Sequence, residues 1–267
     1  MPTKGVNKVK EYLLEEISKN GFAHLTLIDP DPFKIDAGTL SKLAEALDKG
    51  GTSGIMVGGS TAFDKQFLDS VIEEIKKGTS KPVILFPGNI AGVTRKADAL
   101  FFLSPLNSTN HYYLVRAQAI AAPIIKLWNL ETISLAYLIF EPGGTAGWVA
   151  EVQPLPKDKP EIAIAFATAA ELFGFDMVYL EAGSGAIEPI PYQTVGAVSK
   201  FVDIPVIVGG GIRSAEQAAK MVAAGASIVV QGTHYEEYLK QGDFNSISSV
   251  MNETISAMRE AARVRKQ

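Results

Sequence analysis

Short apolar runs alternate with stretches of helical period, which predicts the α/β class and, within it, a single (β/α)8 TIM-type barrel. Three observations carry this reading. The chain has 267 residues, about the length of one such barrel. Eight runs are apolar at most positions, as strands of a parallel sheet covered on both faces must be. Helical patterns fill most of the gaps between them, the signature of βαβ units. The domain expected is residues 1–267, one barrel with an added helix at each end.

The elements follow in order. Residues 6–20 carry a helical pattern, and the first run is 22–28, FAHLTLI. In the helix expected at 37–49, Leu40, Leu43, Ala44 and Leu47 form an i, i+3, i+4, i+7 stripe that stops at Gly50, a residue type common at helix C-termini. Run 54–58, GIMVG, precedes a helix at 62–77, and run 82–86, PVILF, is the third. Run 99–103, ALFFL, leads into a helix at 111–122, and run 134–140, SLAYLIF, into one at 160–174. Runs 176–180, 205–209 and 227–232 follow, with helices at 191–201 and 214–224 between them and a terminal helix at 245–265. VQPLPKDKP (152–160) is linker-like in composition but short, and it sits inside the alternation.

One connection is irregular. Only PGNIAGVTRKAD (87–98) joins the third and fourth runs, and Pro87, Gly88 and Gly92 oppose a full helix there. The third outer helix is therefore expected to be reduced or missing. The residues alone favour a tight extended crossover. The alternative is a side opening for an elongated ligand.

Composition narrows the function. A net charge of −4 speaks against nucleic-acid binding, which needs a basic footprint. The chain contains no cysteine, so disulfides and thiolate metal sites are excluded. The N-terminus has no apolar signal core, and no apolar run reaches membrane-spanning length. A cytoplasmic location without a transmembrane segment is expected.

Two ends of the barrel mouth carry different chemistry. Glycine-bearing turns follow the last three runs: EAGSGA (181–186), GGGIRSAEQA (209–218) and QGTHYEEYL (231–239). All three fall on the C-terminal face of a barrel, where backbone N–H groups and helix starts at Ser214 or Thr233 suit a phosphate. Arg213 either adds charge there or is a surface residue. On the other side, Asp29 and Asp31 follow the first run, while Ser60 and Thr61 follow the second. Hard oxygen donors of this kind suit Mg²⁺, although helix capping accounts for each singly. Two phosphorylated ligands, one of them metal-dependent, fit such a mouth.

The motifs LIDPD, IMVGGST, LEAGSGA, VIVGGGIRS and VQGT, in that order over roughly 22–235, resemble the geranylgeranylglyceryl phosphate synthase family, which includes bacterial heptaprenylglyceryl phosphate synthase relatives. PGGTAGWV (142–149) is similar to the larger, group II members. The resemblance implies a Mg²⁺-dependent prenyltransferase of archaeal-type lipid biosynthesis. The C3 hydroxyl of sn-glycerol 1-phosphate would attack C1 of geranylgeranyl diphosphate, forming an ether and releasing diphosphate. Carried over by motif, Asp29 and Ser60 are the metal ligands. Tyr179, Leu180, Glu181, Ala182, Gly183, Ser184 and Gly185, with Gly210, Gly211, Gly232 and Thr233, bind glycerol phosphate. The chain departs from relatives that carry lysine two residues before the metal-binding Asp, where it has Leu27, and directly after DPD, where it has Pro32 with Lys34 as the nearest base.

Glu181 is the candidate general base, the alternative being a group that only orients a glycerol hydroxyl. A prenyl tail needs an apolar trench, to which Phe101, Phe102, Tyr112, Tyr113, Trp128, Tyr137 and Phe140 are candidates, with core packing as the alternative. His111 stands near a helix start, and His24 and His234 show no metal-ligand pattern. Trp148 is a candidate subunit contact in a homo-oligomer, dimer or hexamer, and the product implies transient membrane contact. Other phosphate-binding barrel enzymes, or a non-catalytic barrel that binds a phosphorylated metabolite, remain the competing readings.

Overall fold

The computed structural model describes residues 8–30, 37–59, 64–183, 185–232 and 235–265. Eight parallel strands close into a barrel in sequence order: β1 (Ala23–Ile28), β2 (Gly54–Gly59), β3 (Val83–Pro87), β4 (Ala99–Pro105), β5 (Glu131–Ile139), β6 (Met177–Glu181), β7 (Val206–Gly209) and β8 (Ile228–Gln231). All eight runs expected from the sequence are strands. The closing pair sets Ala23 against Ile228 and Thr26 against Gln231.

Because the strands are covered on both sides, their alternating side chains feed two apolar layers. Leu25, Met56, Ile84, Phe101, Leu135, Tyr179 and Ile207 fill the barrel interior. Val57, Leu85, Leu100, Leu138, Leu180, Val208 and Val229 face the helices.

Outside lie α1 (Lys8–Asn20), α2 (Ala37–Gly50), α3 (Lys65–Gly78), α4 (Ala117–Leu127), α5 (Gly144–Val149), α6 (Pro160–Phe173), α7 (Tyr192–Ser199), α8 (Ala215–Ala224), α9 (Glu236–Lys240) and α10 (Phe244–Arg265). Val9 and Leu13 of α1 join the interior layer, so α1 plugs the N-terminal end of the barrel. Glu131 fixes it there: its carboxylate accepts from the N–H groups of Val9 (2.9 Å) and Lys10 (2.8 Å), at the positive end of the helix. Among the described residues, no helix is long and apolar enough to cross a membrane.

The link between β3 and β4 contains one 3-10 turn, Ile90–Gly92, and no α-helix. Asn89 stops the chain there by accepting from the Ala91 N–H (2.8 Å), and Asp98 pins the far end through the Val83 N–H (2.8 Å) and Lys76 (2.6 Å). The wall is therefore thin at this point.

Helix boundaries differ from expectation where tertiary contacts override local signals. The segment expected to end at 122 continues through Pro123 to Leu127, because Ala121 and Ile125 on either side are buried against the barrel. It opens with a π-turn, Tyr112–Arg116, whose Tyr113 carbonyl accepts from the Gln118 side chain (2.7 Å). Short helices α5 and α9 are additions to the expected set, and Trp148, expected in a loop, lies on α5. The linker-like 152–160 segment carries buried Leu155, which bridges to Phe140, so it packs as part of the barrel.

Candidate active site

Glu181 ends β6, and strand alternation decides where it points. Met177 and Tyr179 face the barrel interior, so Glu181 does too, at the C-terminal mouth. It is 6% exposed. Its Oε2 accepts from the Tyr137 hydroxyl (3.0 Å) and its Oε1 from the Gly183 N–H (2.6 Å). The register places Tyr137 beside Tyr179 and Glu181 beside Gly209, so the partners are fixed by sheet pairing. Desolvation raises the carboxyl pKa, and the hydrogen bonds from Gly183, Tyr137 and Tyr179 only partly offset it, while the nearby charge of Asp29 adds to the rise. Burial likewise pushes the Tyr137 and Tyr179 hydroxyls well above their ordinary range, so both remain donors.

The turns around this carboxylate require glycine. Gly210 has φ +82°, and a Cβ there would stand 2.5 Å from Glu181 Oε1 and 2.8 Å from the Gly183 nitrogen. Gly211 (φ +70°) would press on the backbone of Glu188 at 2.7 Å. Backbone thus approaches backbone where a side chain would intrude, the geometry that lets N–H groups reach an anion. Arg213 reaches back from the start of α8, and its Nη2 donates to the carbonyls of Gly185 (3.1 Å) and Ala186 (3.0 Å). It therefore ties the β7 turn to the β6 turn. Ser214 caps α8 by accepting from the Gln217 N–H (3.1 Å), which leaves the positive helix end beside these loops.

Sequence reasoning missed a second support. Buried Gln231, at the end of β8, donates through Nε2 to the Ile212 carbonyl (3.2 Å) and faces His24 Nε2 with its Oε1 (3.1 Å). His24 Nδ1 meets the Thr52 hydroxyl (3.1 Å). This polar chain props the β7 turn from below. Its signal in the sequence is polar residues inside otherwise apolar strands. The residue types alone do not say that they meet.

Asp29 follows β1 and is exposed at the mouth. Its Oδ1 lies beside Gly58 of β2, where an added Cβ would stand 3.1 Å away. Mg²⁺ is generally held by one or two carboxylates with water and ligand phosphates. A hard carboxylate oxygen across the mouth from the glycine turns fits that requirement. Among the described residues no group of three or more His, Asp or Glu side chains gathers to hold a metal. Ser60, Thr61, Asp31, Lys34, Ser184, Thr233 and His234 lie outside the described residues.

A cavity open at the mouth joins these parts. Asp29, Glu181, Gly185, Gly210, Gly211 and Gly232 line its polar end. Phe86, Phe101, Tyr137 and Tyr179 form its waist, with Phe86 and Tyr179 stacked at 5.5 Å. The apolar end passes between Gly88–Val93 and the inner face of α4. The short β3–β4 link is thus part of the cavity wall. Phe102, Tyr112 and Tyr113, candidates for an apolar trench, also line the cavity. Phe140 lies instead in the layer under the helices, and Trp128 packs beneath the Lys65 ammonium, 5.0 Å from the ring centre. Leu180 and Ala182 belong to that same outer layer, so any contribution to the mouth is through their backbone. His111 is exposed and does not line the cavity.

Residues 13–251 match the model of the PcrB family. A geranylgeranylglyceryl phosphate synthase of Pyrococcus furiosus is 49% identical over 232 residues, 86% of this chain and 91% of that protein. The wild-type GGGPS of Thermoplasma volcanium superposes with a TM-score of 0.88 at 36% identity, covering 94% of this chain and 98% of that one. The synthase of Thermoplasma acidophilum, solved in complex with its substrate sn-glycerol-1-phosphate, gives 0.87 at 38% identity over the same shares. A matching family model across most of the chain, relatives near half identical and a shared barrel agree: this chain belongs to the PcrB family of geranylgeranylglyceryl phosphate synthases.

Proposed function

We propose that this protein transfers a prenyl group from geranylgeranyl diphosphate to the C3 hydroxyl of sn-glycerol 1-phosphate, in archaeal-type membrane lipid biosynthesis. One observation carries the reading. A buried carboxylate, Glu181, stands between glycine turns suited to a phosphate and an apolar cavity that leads away from them.

The turns at Gly183–Gly185 and Gly210–Gly211 hold the phosphate through backbone N–H groups other than that of Gly183, which already donates to Glu181, with Gly232, Ser184 and Thr233 completing the set assigned by motif. Glu181 faces the glycerol hydroxyls. Tyr137, Tyr179 and Gly183 take three of the carboxylate's roughly four lone-pair sites and leave one to accept from the alcohol. As the C3 oxygen bonds to C1 of the prenyl group, the C1–O bond to diphosphate breaks and the hydroxyl proton passes to Glu181. A carboxyl pKa raised by burial improves that acceptance. The aromatic waist excludes water, which would otherwise capture the allylic carbon. Its ring faces favour developing positive charge. Mg²⁺ held by Asp29 and Ser60 would supply Lewis-acid stabilisation of the departing diphosphate. Assembly as a homo-oligomer belongs to the same reading, with Trp148, 82% exposed, as the candidate contact.

The test is a product assay with labelled sn-glycerol 1-phosphate and geranylgeranyl diphosphate, with and without Mg²⁺. An ether product that needs the metal is expected. Absence of product, or indifference to the metal, rejects the corresponding part of the reading.

A further inference from the structure

The outer face of α4 is largely apolar. Counting its opening π-turn, residues 112–127 expose eight positions. Six are apolar, namely Val115, Ala119, Ile120, Pro123, Ile124 and Leu127, and two are basic, Arg116 and Lys126. Ile120 is 63% exposed and Leu127 79%. By contrast, α3 exposes Lys65, Gln66, Ser70, Glu73 and Lys77, an ordinary polar face. The sequence has no Asp or Glu between Asp98 and Glu131.

We infer that this face docks on an anionic lipid bilayer. An apolar stripe bordered by cations and lacking carboxylates is what an interfacial helix presents to acidic headgroups. A second copy fits less well. A two-fold contact through this face would bury the Arg116 and Lys126 of both copies with no carboxylate on the face to pair with them. Position strengthens the assignment. The inner face of the same helix, Ala117, Gln118, Ala121 and Ile125, lines the apolar end of the cavity. A helix seated at the headgroup level would set the apolar end of the cavity beside the lipid phase, where a long prenyl chain resides. The purpose rests on the prenyltransferase reading above, but the binding does not.

Vesicle co-sedimentation without substrate tests this. Phosphatidylcholine vesicles with and without phosphatidylglycerol serve as probes for the full-length protein. Wild type should sediment with the anionic vesicles and be released by salt. Ile120→Glu with Leu127→Glu should lower the bound fraction by roughly tenfold or more, and Arg116→Gln with Lys126→Gln should remove the preference for anionic vesicles. Both side-chain pairs point away from the cavity, so turnover of detergent-solubilised prenyl diphosphate should be unchanged. That activity measurement separates failure of docking from failure of the enzymatic reading. Wild type remaining in the supernatant overturns the inference. So does a change of oligomeric state, measured by light scattering, in place of a change in vesicle binding, since the face would then join copies of the chain.

Discussion

Replacing Gly210 with alanine probes the contact between the anion-binding turn and the carboxylate. Two effects separate cleanly by comparison with Gly174. Both residues have positive φ, +82° and +85°, so alanine strains each backbone by about 1–2 kcal/mol. At Gly174, the C-terminal cap of α6, an added Cβ meets nothing within 4 Å. At Gly210 it meets Glu181 Oε1 at 2.5 Å and both the nitrogen and oxygen of Gly183 at 2.8 Å. That overlap adds about 1–3 kcal/mol. Gly174→Ala should therefore cost about 1–2 kcal/mol and Gly210→Ala about 2–5 kcal/mol, read from urea denaturation. Relief at Gly210 must come from moving the Gly183 amide or Glu181. Losing one hydrogen bond to a charged group, about 1.5–3 kcal/mol, should raise KM for glycerol phosphate roughly ten- to hundredfold. Gly174→Ala should leave KM alone. An unchanged KM in folded Gly210→Ala, or equal loss of stability in the two variants, would refute this account of the turn.

Glu181→Gln should slow turnover strongly while glycerol phosphate still binds, and wild-type rates would reduce Glu181 to an orienting group. The same variant tests the burial argument. Because the folded pKa lies above the ordinary value of 4.5, the native state holds its proton more tightly than the unfolded chain. Stability therefore falls as pH rises from about 4.5 through the folded pKa, by about 1.4 kcal/mol for each pH unit that separates the folded and unfolded pKa values. Glu181→Gln should lack that decline and gain thermal stability relative to wild type at pH 8, whereas a larger deficit at pH 8 than at pH 4.5 contradicts it. Asp29→Ala should abolish turnover with an unaltered circular dichroism spectrum, and a fully active variant would remove Asp29 from any metal role. Ala121→Trp places bulk on the α4 wall of the cavity and should shift preference from geranylgeranyl towards shorter allylic diphosphates, with unchanged chain-length selectivity excluding this path for the tail. Gln231→Leu should raise KM for glycerol phosphate while kcat for the saturated enzyme changes little, and a normal KM would deny that this side chain props the β7 turn.

Much of the fold was legible because parallel strands must be apolar throughout and their crossovers must be amphipathic. Every expected strand formed, and the short β3–β4 link was recognisable from its length and its glycines. Pro123 misled the reading of α4, since a local breaker is tolerated when buried neighbours hold the helix in place. Glu181 was legible as the carboxylate preceding a glycine turn. Its partner Tyr137 was not, because it is 44 residues away and meets Glu181 only through the β5–β6 register. Phe86 and Gln231 escaped notice for the same reason: each reads as an unremarkable strand residue until the barrel closes.

The sequence by itself determined the class of fold, the order of elements, the polar turns at the mouth and the motifs that mark the family. These depend on periodicity, chain length and local turn chemistry, all of which are written along the chain. Only the tertiary structure decided that Glu181 is buried with its oxygens held by Tyr137 and Gly183, that the thin wall at 87–98 borders a continuous cavity, and that the outward face of α4 is apolar and basic. Each of those is a statement about which distant residues share a surface, and closure of the barrel sets that.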